Sequence, residues 1–289
     1  MISLVFLGAS HPLSGRAERH AQRRLRRRPR RAWICAFCIM GLTILQCSRL
    51  KRGVLSISVD LMAQRLRLEC MKRALVIGVS GGIGDAMALE LACRDFEVTG
   101  LSRSGDGLDV TDTAAIERSV AMLEGTFDLV FVAIGTLAAG GEPEKSLAAI
   151  DSDQMARVMA VNAIGPALIL AHIQKLLPQD RRSVVGVLSA RVGSIGDNKI
   201  GGWHSYRASK AALNQIVRGA AIEIGRKRPN TVIVALHPGT VDTEFTQNYP
   251  THRKVTPKEA ASNLCNVLDG LGAKQTGGFF DYTGAEVVW

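Results

Sequence analysis

Tyr206 and Lys210 stand four positions apart in a stretch, 205–226, whose apolar residues recur at helical spacing. Side chains at i and i+4 share one helix face. An ammonium beside a phenol favours the phenolate and lowers the phenol pKa from its ordinary value of about 10. A tyrosine tuned in this way can exchange a proton with a substrate oxygen near neutral pH. The pair also has a context. It follows Leu188-Ser189, the end of an apolar strand-length run, by one loop, and it lies downstream of a glycine-rich turn.

That turn is Gly78-Val79-Ser80-Gly81-Gly82-Ile83-Gly84, directly after a first apolar run and at the start of a helical stretch. A dinucleotide pyrophosphate must approach backbone N–H groups at a helix N-terminus, and a Cβ in the way would block it. Gly78, Ser80, Gly82, Ile83 and Gly84 are therefore expected to cradle a phosphate-bearing cofactor. The spacing is G-x-x-x-G-x-G and departs from the G-x-G-x-x-G fingerprint. A second apolar run ends at Leu101-Ser102-Arg103. In dinucleotide folds that edge lies beside the adenosine ribose, where an acidic residue would bond the 2′-hydroxyl of NAD. Arg103 suits a 2′-phosphate instead, so the expected cofactor is NADP rather than NAD.

These residues need a scaffold, and the chain supplies an alternation of strands and helices. Strand-length apolar runs cover 74–77, 97–101, 129–134, 183–188 and 231–236, with a last candidate at 277–280. Amphipathic helical stretches cover 83–93, 113–123, 151–177, 205–226 and 257–268. Continuous Val/Ile/Leu strands imply burial on both faces. Alternation of this kind implies a doubly wound α/β fold around a parallel sheet. No internal repeat and no low-complexity linker follows Met71, so 71–289 reads as one Rossmann-type domain.

The 289 residues are 47% hydrophobic, 21% charged and 5% aromatic, which excludes a disordered, collagenous or coiled-coil chain. The net charge of +10 is unevenly placed. Residues 1–70 hold 14 Lys and Arg against 3 Asp and Glu, whereas 71–289 hold 22 against 23. No bulk positive field draws residues 71–289 to a polyanion, and no nucleic-acid partner is expected for them. The arginine run 16–31 is of the kind that meets nucleic acid or a membrane surface. The apolar run 32–45 falls short of the roughly 20 residues of a membrane span. Met71 opens a basic start followed at once by the first strand. Residues 1–70 are accordingly expected to be a disordered extension or the product of an upstream start assignment. Cys35-x-x-Cys38 has redox or metal spacing but no second pair, and no metal site is expected. Only Cys93 and Cys265 fall after Met71, which points to a reducing, cytoplasmic setting.

Taken together, residues 71–289 resemble the short-chain dehydrogenase/reductase family. The matching pieces are the 78–84 loop, Asp109-Val110 after the family's third strand, Asn162, Ser189, Tyr206-x-x-x-Lys210, and Pro238-Gly239 with Thr243. Within the family, 188–195 and 201–214 are most similar to C-factor and Sniffer-like carbonyl reductases. The resemblance implies that Tyr206 is the acid/base and that Lys210 holds the nicotinamide ribose and tunes the phenol. It implies that Asn162 positions a water in a proton relay and that a serine bonds the substrate carbonyl. Asp109 and Val110 would meet the adenine; Ala133 and Gly135 would border the cofactor; Gly239, Val241 and Thr243 would line the nicotinamide. The substrate would be a small carbonyl or alcohol, and the chain would pair as a homodimer or homotetramer through 151–177 and 205–226.

The chain also departs from the family pattern. The usual Asn-Asn-Ala-Gly is Val132-Ala133-Ile134-Gly135, and Ile77 replaces the threonine often found before the phosphate loop. Counting back from Gly193, the usual serine position holds Ala190, leaving Ser189 and Ser194 as candidates. Successive strand residues face opposite ways, so Ser189 can serve only where the strand end bends. Residues 196–203 are extra and should form a lip of the substrate pocket. The expected activity is an NADP-dependent carbonyl reductase or alcohol dehydrogenase. A cofactor-binding signalling or scaffold protein with little turnover is the alternative that the displaced serine favours.

Overall fold

The computed structural model describes residues 71–248 and 253–289. The expectations for residues 1–70, including the arginine run and Cys35-x-x-Cys38, lie outside the described residues. Among the described residues six strands form one parallel sheet: β1 Lys72–Ile77, β2 Phe96–Leu101, β3 Leu129–Val132, β4 Ser183–Leu188, β5 Thr231–His237 and β6 Phe279–Asp281. Their spatial order is β2-β1-β3-β4-β5-β6. All five pairings are parallel, with register such as Leu75↔Val130 and Val130↔Val185.

Strand residues alternate between two buried faces, as the continuous apolar runs require. Leu75, Ile77, Val130, Val132, Val185 and Ile233 enter one core. That core is completed by α3 (Thr113–Ala121), α5 (Gly165–Ile173) and α6 (His204–Lys227), through Ile116, Ile169, Ile173, Leu213 and Val217. Ala74, Val76, Phe131, Val184 and Val234 enter the other core, against α1 (Gly82–Cys93) and α7 (Pro257–Gly270). Each fully buried Leu, Ile, Val or Phe side chain contributes about 1.5–3 kcal/mol.

Three local findings revise the expected elements. No strand lies between β2 and Asp109; a single-turn helix, α2 (Arg103–Asp106), occupies that place. Ser102 caps it by accepting from the Gly105 N–H, and Gly107 ends it at φ 67°. A serine cap and a left-handed glycine five residues on are turn chemistry that a strand cannot use. Second, the expected helix 151–177 is interrupted. It runs as α4 (Ser152–Met159), a π turn (Ala160–Ile164), α5 and a final 3₁₀ turn (Gln174–Leu176). Pro166 has no N–H for the carbonyl of Asn162 four residues back. The Gly165 N–H instead reaches the Ala160 carbonyl, five residues back. By length and composition this stretch could cross a membrane, but Ile169, Leu170 and Ile173 are buried in the core. Third, β3 ends at Val132 and β6 begins at Phe279, each two residues inside the expected bound.

The strand order reverses between β1 and β3, and ligands of open α/β sheets bind at such switch points, beyond the C-terminal strand ends. The chain is tight there. The Ala133 N–H donates to the Ile77 carbonyl at 2.7 Å. Gly78 adopts φ 92°, and a Cβ on it would lie 2.5 Å from the Ala133 carbonyl oxygen. Gly78→Ala should therefore destabilise the protein by about 1–3 kcal/mol through strain and overlap. Urea unfolding of the two proteins checks this.

Candidate functional site

The glycine turn forms a cradle. A Cβ on Gly84 would overlap the Gly78 carbonyl, and one on Gly82 would lie 2.8 Å from Thr243 Cγ2. Gly82 and Thr243, both expected at the cofactor, are thus neighbours. Gly81 precedes α1 with no side-chain cap. The N–H groups of a first helical turn have no intrahelical acceptor. This N-terminus therefore presents donors and a positive dipole end to an anion. Ser80 is exposed on the turn and Ile83 is half-buried. Arg103 is exposed just after β2, its carbonyl accepting from the Gly107 N–H at 3.2 Å, and its charge acts on Asp109. Asp109 is exposed and its Oδ1 accepts from the N–H and hydroxyl of Thr111. Those bonds hold its carboxyl below the ordinary range. Val110 is buried against Gly165, where a Cβ would come 2.8 Å from the Val110 carbonyl.

Helix α6 carries the reactive pair. Tyr206, Ser209, Lys210, Leu213, Asn214 and Val217 share its buried face, with Tyr206 6% and Lys210 2% exposed. Lys210 Nζ donates to the Leu188 carbonyl at 3.0 Å, at the end of β4. Two glycines make room for this lysine. A Cβ on Gly135 would lie 3.2 Å from Nζ, and one on Gly193 2.8 Å from the Lys210 backbone. The Tyr206 ring sits between Trp203, edge-on at 6.2 Å, and Phe245, tilted at 5.9 Å. Among the described residues its hydroxyl has no hydrogen-bond partner.

Burial decides the charge states here. It lowers Lys210 to about 7 and raises the Tyr206 phenol above its ordinary value. The expected lowering of the phenol by a neighbouring ammonium is therefore reversed in this arrangement. Lys210 Nζ lies 6.0 Å from the ring centroid, and desolvation outweighs any attraction at that distance.

Asn162 is fully buried on the π turn. Its Oδ1 accepts from the Thr136 N–H at 2.7 Å, and its Nδ2 donates to the Thr136 carbonyl at 2.8 Å and to Ser209 Oγ at 2.9 Å. Ser209 in turn donates to the Tyr206 carbonyl at 2.8 Å. Asn162, Gly135, Lys210 and Tyr206 thus form one cluster. Ser189 follows the last residue of β4 and is buried, and its hydroxyl donates to Asn214 Oδ1 at 2.6 Å. Ser194 Oγ accepts from the Asp197 N–H at 3.1 Å. Gly239, at φ 80°, packs beneath Tyr282. Val241 is buried and bridges to Val255, in the same late loop as Thr243. His237 at the end of β5 has a buried Nδ1 without a partner, and burial lowers its pKa to about 4.

Thr136, Ser209, Asn214 and the Leu188 carbonyl were not expected at the site. Helical spacing from Tyr206 could have found Ser209 and Asn214, since they share its face. Nothing local marks Thr136.

The family profile described as enoyl-(acyl carrier protein) reductase matches residues 78–268. The 1-hydroxy-2-glutathionyl-2-methyl-3-butene dehydrogenase of Rhodococcus sp. (strain AD45) is 30% identical over 235 residues, 76% of this chain and all of that protein. C-signal of Myxococcus xanthus is 37% identical over 145 residues, 50% of this chain and 84% of that protein. A structure from Burkholderia multivorans, described as a short-chain dehydrogenase/reductase with bound NADP, is 29% identical. It covers 76% of this chain and 100% of its own, with a TM-score of 0.66.

The depressed Lys210 has a thermodynamic signature. Between about pH 7 and its unfolded pKa near 10.5, the unfolded chain binds a proton that the folded chain does not, so this residue makes stability rise with pH. Cys265, raised by burial to about 12, and Tyr206 oppose that trend above pH 9. From pH 7 to 9 the unfolding free energy should therefore gain about 2 kcal/mol from Lys210. Urea titrations across this window should show the gain in the parent protein and lose it in Lys210→Met.

Proposed function

The chain belongs to the short-chain dehydrogenase/reductase family and is an oxidoreductase of that type, and we propose that it is an NADP-dependent carbonyl reductase or alcohol dehydrogenase with Tyr206 as acid/base. The observation that carries this reading is the cluster of buried Tyr206, Lys210 and Asn162 around Gly135 at the strand ends, beside a glycine cradle at an uncapped helix start. The residues fit a dinucleotide: Gly78, Ser80, Gly82, Ile83 and Gly84 around an uncapped helix start, and an exposed Arg103 just after β2. The bound nicotinamide would supply or accept the hydride.

The chain's own residues would do the rest. Tyr206, protonated because burial disfavours its anion, would donate its proton to the carbonyl oxygen of the substrate as that oxygen gains charge. Lys210 would hold a ribose hydroxyl and, once charged, stabilise the phenolate left behind. The Asn162 side chain has its bonds satisfied by Thr136 and Ser209, so a relay water would sit at its backbone carbonyl, which lacks the donor that Pro166 withholds. Ser189 would have to turn its proton from Asn214 to the substrate, and Ser194 is the other candidate. Asp109 and Val110 would face the adenine; Ala133, Gly135, Gly239, Val241 and Thr243 would border the nicotinamide half. Trp203 and Phe245 flank the Tyr206 ring and support a small, apolar-bodied carbonyl or alcohol as substrate. Exposed Ile164 and Ile222 support a homodimer or homotetramer through these long helices.

Tyr206→Phe removes one hydroxyl and keeps the ring. Carbonyl reduction by the variant, followed as NADPH absorbance, should fall by about 10²–10⁴-fold with NADPH affinity unchanged. Lys210→Ala should lose both. Full turnover in Tyr206→Phe would refute the mechanism. NADPH binding with no turnover of any carbonyl by the parent protein would favour the scaffold alternative.

Arg103→Ala tests the cofactor choice. Losing a charge-assisted phosphate contact is worth about 1.5–3 kcal/mol, so the NADPH dissociation constant should rise about tenfold or more. NADH binding should change little. Equal losses for both cofactors would show that Arg103 does not read the 2′-phosphate.

A further inference from the structure

Helix α6 starts without a cap of its own. Its N-cap residue is Trp203, at φ 51° and ψ 43°, and that side chain caps nothing. A bulky residue in the left-handed region is uncommon. Ser, Thr, Asp or Asn ordinarily stands at this position and accepts from a first-turn N–H. Here the acceptor comes from 61 residues upstream. Glu144, on the segment between β3 and α4, accepts from the Ser205 N–H at 3.3 Å through Oε2 and from the Ser205 hydroxyl through Oε1. The Trp203 N–H donates to the Glu144 carbonyl. Ser205 is 2% exposed, so this contact is shielded from water. Burial works against the Glu144 charge, but the bonds from Ser205, its own backbone N–H and the charge of His204 together hold the carboxyl below the usual range. A carboxylate at a helix N-terminus also gains from the helix dipole.

The other end of the same segment is tied down as well. Thr136 exchanges two hydrogen bonds with the Asn162 amide, which binds Ser209, which binds the Tyr206 carbonyl. Tyr206 is therefore held from both sides: through the residue before it by Glu144, and through its own carbonyl by the Thr136–Asn162–Ser209 chain. Both tethers end in residues 136–144.

We propose that Glu144 is a positioning residue for Tyr206: its carboxylate caps helix α6 in place of an N-cap side chain and sets where the phenol meets the substrate oxygen. This rests on the reading of Tyr206 as acid/base. The side-chain hydrogen bonds of Glu144 and Ser205 run to each other and not to the glycine cradle, Arg103 or Lys210, so their effect should fall on turnover and not on cofactor binding.

The test uses the full chain and compares Glu144→Ala, Glu144→Gln, Ser205→Ala and Tyr206→Phe. A small misplacement of a reacting group is expensive in rate, so Glu144→Ala should lower kcat for carbonyl reduction about tenfold or more. NADPH dissociation constant and carbonyl KM should stay within about threefold, because uniform binding is untouched. Glu144→Gln keeps one acceptor oxygen and should recover most of the loss. Adding Ser205→Ala to Glu144→Ala should cost nothing further, because both act through one contact. Unchanged kcat in Glu144→Ala beside an inactive Tyr206→Phe overturns the inference and leaves the role of Tyr206 standing. A joint fall of kcat, NADPH affinity and melting temperature overturns it too, since that is general loosening. Full turnover in Tyr206→Phe overturns both readings. If Glu144→Ala does not fold, Ser205→Ala alone should lower kcat by about threefold with NADPH affinity kept; no change there overturns the inference.

Discussion

A lysine amine held out of water is the constraint around which the site is arranged. Lys210 is 2% exposed, and its hydrogen-bond acceptor is the carbonyl of Leu188, the last residue of β4. A parallel strand that stops there leaves that carbonyl facing the helix above. Gly135 leaves room for the amine, and Gly193 leaves room for the helix backbone at Lys210. Glycines in two different loops thus meet one residue of helix α6, Gly135 at its amine and Gly193 at its backbone. Burial, which disfavours the charged form, lowers the pKa of the amine to about 7.

Tyr206 inherits the same dryness. A phenol buried between Trp203 and Phe245 keeps its proton, and a half-neutral lysine 6.0 Å from the ring centroid does little to remove it. The tuning expected from the i, i+4 spacing therefore needs more than spacing. It needs further acceptors that keep Lys210 charged, and ribose hydroxyls are the chemistry that the family resemblance assigns to that amine. Under the proposed function, cofactor binding and acid strength would be coupled through Lys210. The helix supplies proximity, and the ligand completes the electrostatics.

The parts legible in the sequence were those with a local signature. Continuous apolar strands, the glycine turn and the Tyr206–Lys210 spacing each follow from short-range rules, and the six strands lie within two residues of where those rules put them. The helix break at Ala160–Ile164 was also written locally, in Gly165-Pro166, but apolar periodicity masked it. The strand expected before Asp109 came from resemblance alone; Ser102 and Gly107 make a capped turn there. Other features had no local mark at all. Glu144 is an ordinary loop carboxylate until the fold places it against Ser205. The Ser189 hydroxyl looks available until Asn214, 25 residues on, accepts its proton. Side-chain roles that depend on such distant partners are invisible to any pattern read along the chain.

The topology divides the labour between the two faces of the sheet. The phosphate cradle opens α1, which packs with α7 on one face. Tyr206, Lys210 and Asn162 belong to helices packed on the other face. The two groups meet only beyond the strand ends, where the order reverses between β1 and β3. Thr243 touches Gly82 from the late loop, and Phe245 of the same loop touches Tyr206. One loop therefore spans cradle and phenol without belonging to either core. A change in that loop can alter which carbonyl reaches Tyr206 while the buried contacts of Lys210 and Asn162 stay as they are. Under the proposed mechanism, substrate choice and proton chemistry would be carried by separate parts of the chain, with only the second set by the core.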